Sequence, residues 1–287
     1  MKNLITTVLL SIFSVISINA QKLENSTLWK IEGNGLEKPS YIFGTIHITC
    51  DATIEDDVKK ALDETSQVVL EIDMDDPSMQ TKMMGGMYMK DGKKISDLVS
   101  KEDYAIIDSL ITNEVGMPLK MVENIKPFFL IAMLYPKMLD CPMQSFEQEL
   151  MAVATEQKED INGLETIEDQ MKVFDDIPYE DQVADLLKTA KDNLQKDRET
   201  FKEMLDIYKD ENIEALIAMM NDDESSSVNK HQDKLLINRN KNWIPKISEY
   251  AIEQPTFFGV GAGHLAGEFG VINLLREAGY TVSAIME

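Results

Sequence analysis

Short apolar runs and amphipathic stretches alternate along this chain, and their order predicts its fold. Residues 28–31 and 41–46 read as two strands separated by the turn-rich segment Gly33-Asn34-Gly35-Leu36-Glu37-Lys38-Pro39, a hairpin-type pattern. Thr53 is placed to cap a helix in which Ile54, Val58, Ala61 and Leu62 share one face. Residues 67–72, with the run Val68-Val69-Leu70, then form a buried type of strand. From residue 95 to about 158, amphipathic stretches of helix length are broken at Pro118, Pro127, Pro136 and Pro142, which predicts a helical insertion. Residues 161–164 give another short strand, followed by a helix capped by Thr166. Between residues 180 and 208, Val183, Leu186, Leu187, Ala190 and Leu194, then Phe201, Met204 and Leu205, keep helical spacing and predict one long amphipathic helix.

The end of the chain repeats the logic of its beginning. Residues 256–260 form a strand, Gly261-Ala262-Gly263-His264 a turn, Val271, Ile272, Leu274, Leu275 and Ala278 a helix face, and residues 280–285 a last strand. The opening strand 41–46 runs into Gly44-Thr45-Ile46-His47 in the same way. Two of the three histidines in the chain therefore end Gly-x-x-His motifs directly after strands. Imidazole binds transition metals and moves protons near neutral pH, and a glycine-containing turn after a strand lets the ring project from the sheet edge. The third, His231, sits among Lys230, Gln232 and Asp233 and reads as a surface residue.

Glu71, within Val69-Leu70-Glu71-Ile72-Asp73, is the third candidate. A carboxylate buried in an apolar strand needs a cation, a metal or good donors. With a period of two, however, Glu71 and Asp73 share one face and Leu70 and Ile72 the other, so a solvent-facing Glu71 satisfies the pattern equally well. Six methionines between Met74 and Met89 allow soft-metal binding or, more commonly for this residue, flexible packing. Cys50 and Cys141 are compatible with a disulfide, with two free thiols or, for Cys50 three residues after His47, with a role as metal ligand.

Residues 1–20 carry a basic start at Lys2, an apolar stretch and the small-residue ending Ile18-Asn19-Ala20, the pattern of a cleaved secretion signal. This predicts a secreted or periplasmic protein with no stable membrane span after cleavage, because the only other strongly apolar run, 128–135, is too short. The formal net charge of −23 becomes one unit more negative without Lys2. Such a field repels nucleic acid and anionic lipid and favours cations or basic peptide segments.

Five segments together carry a family resemblance: Tyr41-Ile42-Phe43-Gly44-Thr45-Ile46-His47, Val69-Leu70-Glu71-Ile72-Asp73, Gly163-Leu164-Glu165-Thr166-Ile167-Glu168-Asp169-Gln170, Asn238-Arg239-Asn240-Lys241-Asn242-Trp243 and Gly259-Val260-Gly261-Ala262-Gly263-His264-Leu265. With them the chain resembles the TraB/GumN family, related to the Tiki-like secreted metalloproteases. The resemblance implies an α/β (α+β) fold: residues 21–287 as a single domain, with a mixed central sheet built from the N- and C-terminal halves, flanked by helices, and a helical insertion at about 80–240. It implies a metal-dependent hydrolase, a peptidase acting on peptide or protein substrates, with His47, His264 and Glu71 around Mn²⁺, Co²⁺ or Zn²⁺ and Arg239 as a further catalytic candidate. Glu165, Gln170 and Asn240 match other recurrent positions. Relatives in the wider superfamily supply two alternatives, a metal-independent His/Glu esterase-like hydrolase and a non-enzymatic haem or metal carrier.

Overall fold

Residues 22–286, described by a computed structural model, contain one six-stranded mixed sheet in the order β4-β3-β5-β2-β1-β6. The strands are β1 (Leu28–Gly33), β2 (Ser40–Thr45), β3 (Gln67–Ile72), β4 (Asp160–Glu165), β5 (Phe257–Gly261) and β6 (Tyr280–Ala284). Pairings β4 with β3, β3 with β5 and β5 with β2 are parallel, whereas β1 pairs antiparallel with both β2 and β6. The C-terminal strand β5 is thus inserted between β3 and β2 from the first part of the chain, the two-ended sheet expected from the family resemblance. The expected secretion signal, residues 1–20, lies outside the described residues. Among the described residues no helix is long and apolar enough to cross a membrane.

The helices that matter most are α1 (Asp56–Asp63), α2 (Lys101–Val115), α3 (Phe146–Gln157), α4 (Ile167–Asp176), α5 (Tyr179–Lys191), α6 (Gln195–Lys209), α7 (Asn238–Glu253) and α8 (Val271–Glu277). Strand alternation sorts the apolar residues onto the two faces of the sheet. Trp29, Ile31, Ile42, Val69, Phe258 and Val260 pack with Trp243, Ile247 and Ala251 of α7 and Val271, Ile272 and Leu275 of α8. Leu28, Tyr41, Phe43, Val68, Leu70 and Phe257 pack on the other side with Val58, Ala61 and Leu62 of α1 and Phe146, Leu150 and Ala154 of α3. Because both faces are covered, β2, β3 and β5 are buried along their whole length, which is why they read as near-continuous apolar runs. A separate helical core joins Ile107, Leu110 and Ile111 of α2 to Val183, Leu186 and Ala190 of α5 and Phe201 of α6.

Two expectations about helices are corrected. The predicted long helix over 180–208 is two helices, because Asn193 (φ 53°) and Leu194 (φ 66°) turn left-handed between α5 and α6. Asparagine tolerates that region, and complete burial of Leu194 in the helical core offsets its strain. Thr53 does not cap α1, which starts three residues later at Asp56. Its hydroxyl and backbone N–H are drawn instead to Asp51 Oδ1, at 2.6 and 3.0 Å. Thr166 does cap α4, accepting from Asp169 N at 3.1 Å. The methionine-rich segment serves packing: Met74, Met79 and Met83 lie against Ile72, Ile167 and Met171 with Phe129 and Phe174.

Gly163 lets β4 approach β3 where the strands end: a Cβ there would stand 2.4 Å from Asp73 N and 2.8 Å from the Ile72 carbonyl carbon. Both are backbone atoms, so relief requires moving a strand. Gly163→Ala is expected to destabilise the protein by about 1–3 kcal/mol, seen as a lower urea midpoint with an unchanged slope. An unaltered midpoint would show that the edge is looser than this spacing.

Candidate functional site

The four parallel strands all end on one edge of the sheet, and each brings one element of the site. In open α/β sheets ligands bind outside the carboxyl ends of such strands. β4 ends on Glu165, β3 carries Glu71 as its penultimate residue, β5 runs into the Ala262–His264 turn, and β2 stops two residues before His47. A methyl group placed on Gly261 would lie 3.2 Å from Glu71 Oε1 and 3.4 Å from His47 Nε2. Both side chains therefore face the same point, which only glycine leaves open. His264 Nε2 is 3.7 Å from Glu71 Oε1 on the other side. The two histidine turns, from opposite ends of the chain, thus flank one carboxylate.

Glu71 is buried, at 8% exposure, because α7 covers its face of the sheet. The solvent-facing alternative left open by strand period is thereby decided. Oε1 accepts from Gly261 N at 2.8 Å, and Oε2 accepts from Arg239 Nη2 at 2.5 Å and from Gln170 Nε2 at 3.2 Å. Burial by itself pushes the carboxyl upward, but the Arg239 charge, with the histidines and the Gly261 N–H, holds it well below the usual carboxylate range.

Arg239 joins the cluster by forking. Nε and Nη2 donate to Glu165 at 3.0 and 2.6 Å, Nη1 donates to Leu235 O and to His264 Nε2, both at 3.0 Å, and the guanidinium lies 4.8 Å from the Trp243 ring. A planar five-donor cation is suited to this sharing between two carboxylates, and lysine is not. Burial works against its charge, but the carboxylates of Glu71 and Glu165 outweigh it and raise the pKa of the guanidinium.

His264 is held neutral from both sides. Asn240 donates its amide N–H groups to Phe269 O (2.8 Å) and His264 O (3.3 Å), which turns Asn240 Oδ1 toward His264 Nδ1 at 2.5 Å. The proton therefore belongs on Nδ1, and Nε2 accepts from Arg239. Burial, with the Arg239 charge against the pull of Glu71, lowers the His264 pKa to about 3.

His47 has the opposite surroundings. Its side chain is 64% exposed, and Nδ1 contacts Glu147 Oε1 at 2.7 Å. Crowding disfavours the charged ring, but the Glu147 hydrogen bond and charge, reinforced by Glu71, raise its pKa to about 9. Glu147 is correspondingly lowered to about 2: burial opposes ionisation, and His47, Ser145 and Thr45 together overcome it. Sequence reasoning had no reason to select Glu147, because an acidic residue in the first turn of a helix is an ordinary response to the helix dipole. The third histidine, His231, pairs with Asp181 at 2.9 Å.

Cys50 and Cys141 form a disulfide, with Cα atoms 5.6 Å apart, which removes both the free-thiol and ligand alternatives. A divalent ion on His47, Glu71 and His264 needs open lone pairs directed at one point. Here the His264 Nε2 lone pair takes an Arg239 N–H, and Arg239 supplies the positive charge beside Glu71. Among the described residues no group of three or more His, Cys, Asp or Glu side chains is placed to hold a metal ion. As arranged, the three side chains do not fit one.

Both histidine turns, Glu71 and Arg239 fall within residues 27–284, the stretch that matches the TraB/PrgY/gumN family. The chain belongs to that family. A curated relative is Metalloprotease TIKI2 of Danio rerio, 20% identical over 328 residues that take in 92% of this chain and 61% of the relative. This TraB/PrgY/gumN chain therefore spans less than two thirds of that relative's length. No solved structure matches it.

The two histidines have opposite linkage to folding. The imidazolium of His47 contributes stability that is complete below pH 6.5 and is lost as pH rises through about 9. Neutral His264 contributes stability present above pH 6.5 and lost as pH falls toward 3. The melting temperature is expected to peak near pH 6.5. His264→Gln should flatten the limb between 6.5 and 4.5, above the ordinary glutamate pKa. His47→Gln should flatten the alkaline limb, which is the shallower because solvent screens an exposed ring. A melting temperature that climbs steadily from pH 6.5 to 9 would contradict this assignment.

Proposed function

We propose that this chain is a secreted or periplasmic hydrolase that cleaves peptide bonds at the edge where His47, Glu71 and His264 meet. One observation carries the reading: two Gly-x-x-His turns from opposite ends of the chain flank a buried, ionised glutamate beside an arginine. Family membership and the relative's name as a metalloprotease support hydrolysis. The signal-like residues 1–20 support the compartment, and the net charge of −23 favours substrates with basic segments.

In this reading Glu71 Oε1 and His47 Nε2 work as a pair on a water at their shared point. As the water oxygen bonds to the scissile carbonyl carbon, its proton passes to Glu71. As the C–N bond breaks, the imidazolium of His47 gives its proton to the leaving nitrogen. Transfer of the proton from Glu71 to His47 then restores both groups. Arg239, backed by Glu165, orients Glu71 and keeps it ionised, and Asn240 keeps His264 from competing for a proton.

A specific observation favours a second, metal-dependent reading. Glu147 grips His47 through Nδ1 and leaves Nε2 directed toward Gly261 and Glu71, which is how carboxylates commonly orient metal-binding histidines. Mn²⁺, Co²⁺ or Zn²⁺ would find His47 Nε2 and Glu71 as ligands, and His264 only after Arg239 releases its Nε2. Such an ion would polarise the scissile carbonyl and acidify a water.

The test is peptide-library cleavage by the purified chain, stripped of metal and then resupplied with each of the three ions. His47→Ala and Glu71→Gln are each expected to lower cleavage by about 100-fold or more under either reading, and His264→Ala to do so only under the second. Activity that survives stripping selects the first reading, and activity that returns only with an ion selects the second. Cleavage untouched by all three substitutions rejects the site, and tight haem uptake without cleavage replaces both readings with a carrier.

A further inference from the structure

Glu147 lies outside every motif that singled out the site, yet its carboxylate is built into it. It is buried, at 8% exposure, in the first turn of α3. Its oxygens take Thr45 Oγ1 at 2.6 Å, Ser145 Oγ at 2.6 Å and His47 Nδ1 at 2.7 Å. Thr45 ends β2, Ser145 precedes α3, and His47 follows β2, so one carboxylate joins two segments that are distant in sequence. The same two segments are clamped again just beyond the site. Thr49 and Gln144 exchange backbone hydrogen bonds at 3.0 and 2.8 Å, Gln144 Oε1 accepts from Ala52 N at 3.0 Å, and the Cys50–Cys141 disulfide closes the same junction.

A ring that is 64% exposed needs a directional bond to fix its orientation. The Glu147 bond has to do so, and the clamp has to hold Glu147 in place. With Nδ1 committed to this carboxylate, Nε2 is the nitrogen left for chemistry, and it is the one that faces Gly261 and Glu71.

We infer that Glu147 is a positioning residue for His47, which fixes the ring by accepting Nδ1–H and directs Nε2 at Glu71. The inference rests on the hydrolase reading for its consequence, and on geometry alone for its structural content. The two are separated by measuring turnover and, independently, the imidazole proton spectrum of the full chain. An Nδ1–H bonded to a buried carboxylate exchanges slowly with water and resonates far downfield, and with three histidines in the chain it is assignable by substitution. That resonance is expected in the parent protein and in His264→Gln, and is expected to vanish in His47→Gln and Glu147→Gln.

In peptide cleavage, Glu147→Gln is expected to lower kcat by about 10- to 100-fold with KM unchanged. The double variant His47→Gln, Glu147→Gln should be no slower than His47→Gln alone, since Glu147 acts only through the ring. Multiplying effects in the double variant would overturn the inference, as would a downfield resonance that survives Glu147→Gln. Should Glu147→Gln fail to fold by circular dichroism, Thr45→Val and Ser145→Ala, which keep the carboxylate, must retain the resonance. Its loss there would make the bond a by-product of local packing. A parent protein that cleaves no peptide sinks the hydrolase reading and leaves the spectrum to decide the geometry.

Discussion

The Glu71 carboxylate sits in the middle of a covered sheet edge, and almost everything around it follows from the need to keep a charge there. An isolated buried carboxylate would take up a proton, because the penalty for leaving water is several kcal/mol per ion. Arg239 removes that option, Glu165 and Trp243 then hold Arg239 in place, and Gln170 donates to both Glu71 and Glu165. The cost of breaking such a pair by deleting one member is about 3–5 kcal/mol, mostly from the partner left stranded. The cluster thus couples β3, β4 and α7, elements from the first, middle and last parts of the chain, as well as forming one wall of the site. The π-helical segment Asp233–Ile237 directly before α7 belongs to the same constraint. It widens the turn whose Leu235 carbonyl receives Arg239 Nη1, in the manner of π-turns found at functional sites.

Much of this was legible in the chain. All six strands announce themselves as short apolar runs with turn residues between them, and the repeated Gly-x-x-His after β2 and β5 marks the strands that share an edge. The rest was hidden for physical reasons that differ from residue to residue. The break at Asn193 and Leu194 leaves the apolar period intact, so a side-chain pattern cannot reveal that the backbone reverses there. Thr53 has the right residue type for a cap, but Asp51 two residues earlier competes for the same hydroxyl. Whether Glu71 is buried depends on α7 arriving from the far end of the chain, and no window around β3 contains that information. Glu147 is hidden for the same reason, since its meaning lies in partners at and just after the end of β2. The disulfide was undecidable until the loop after His47 and the segment before α3 were seen to run together.

The two histidine turns also show how little a motif determines by itself. Gly44-Thr45-Ile46-His47 and Gly261-Ala262-Gly263-His264 deliver the same ring to the same edge, yet one ring is raised to about 9 and the other lowered to about 3. The difference is not in the strands or the turns. At His47 the Nδ1 partner is the carboxylate of Glu147, which pays back protonation with an ion pair. At His264 it is the amide oxygen of Asn240, which accepts the Nδ1–H hydrogen bond but offers no charge, and Arg239 on Nε2 actively repels a second proton. A donor ring and a non-titrating ring are thereby set on either side of one acceptor, the separation of protonation states that acid–base chemistry near neutral pH requires. A duplicated motif builds the symmetry of the edge, and the unduplicated neighbours, Glu147 on one side and Asn240 with Arg239 on the other, break it into two roles.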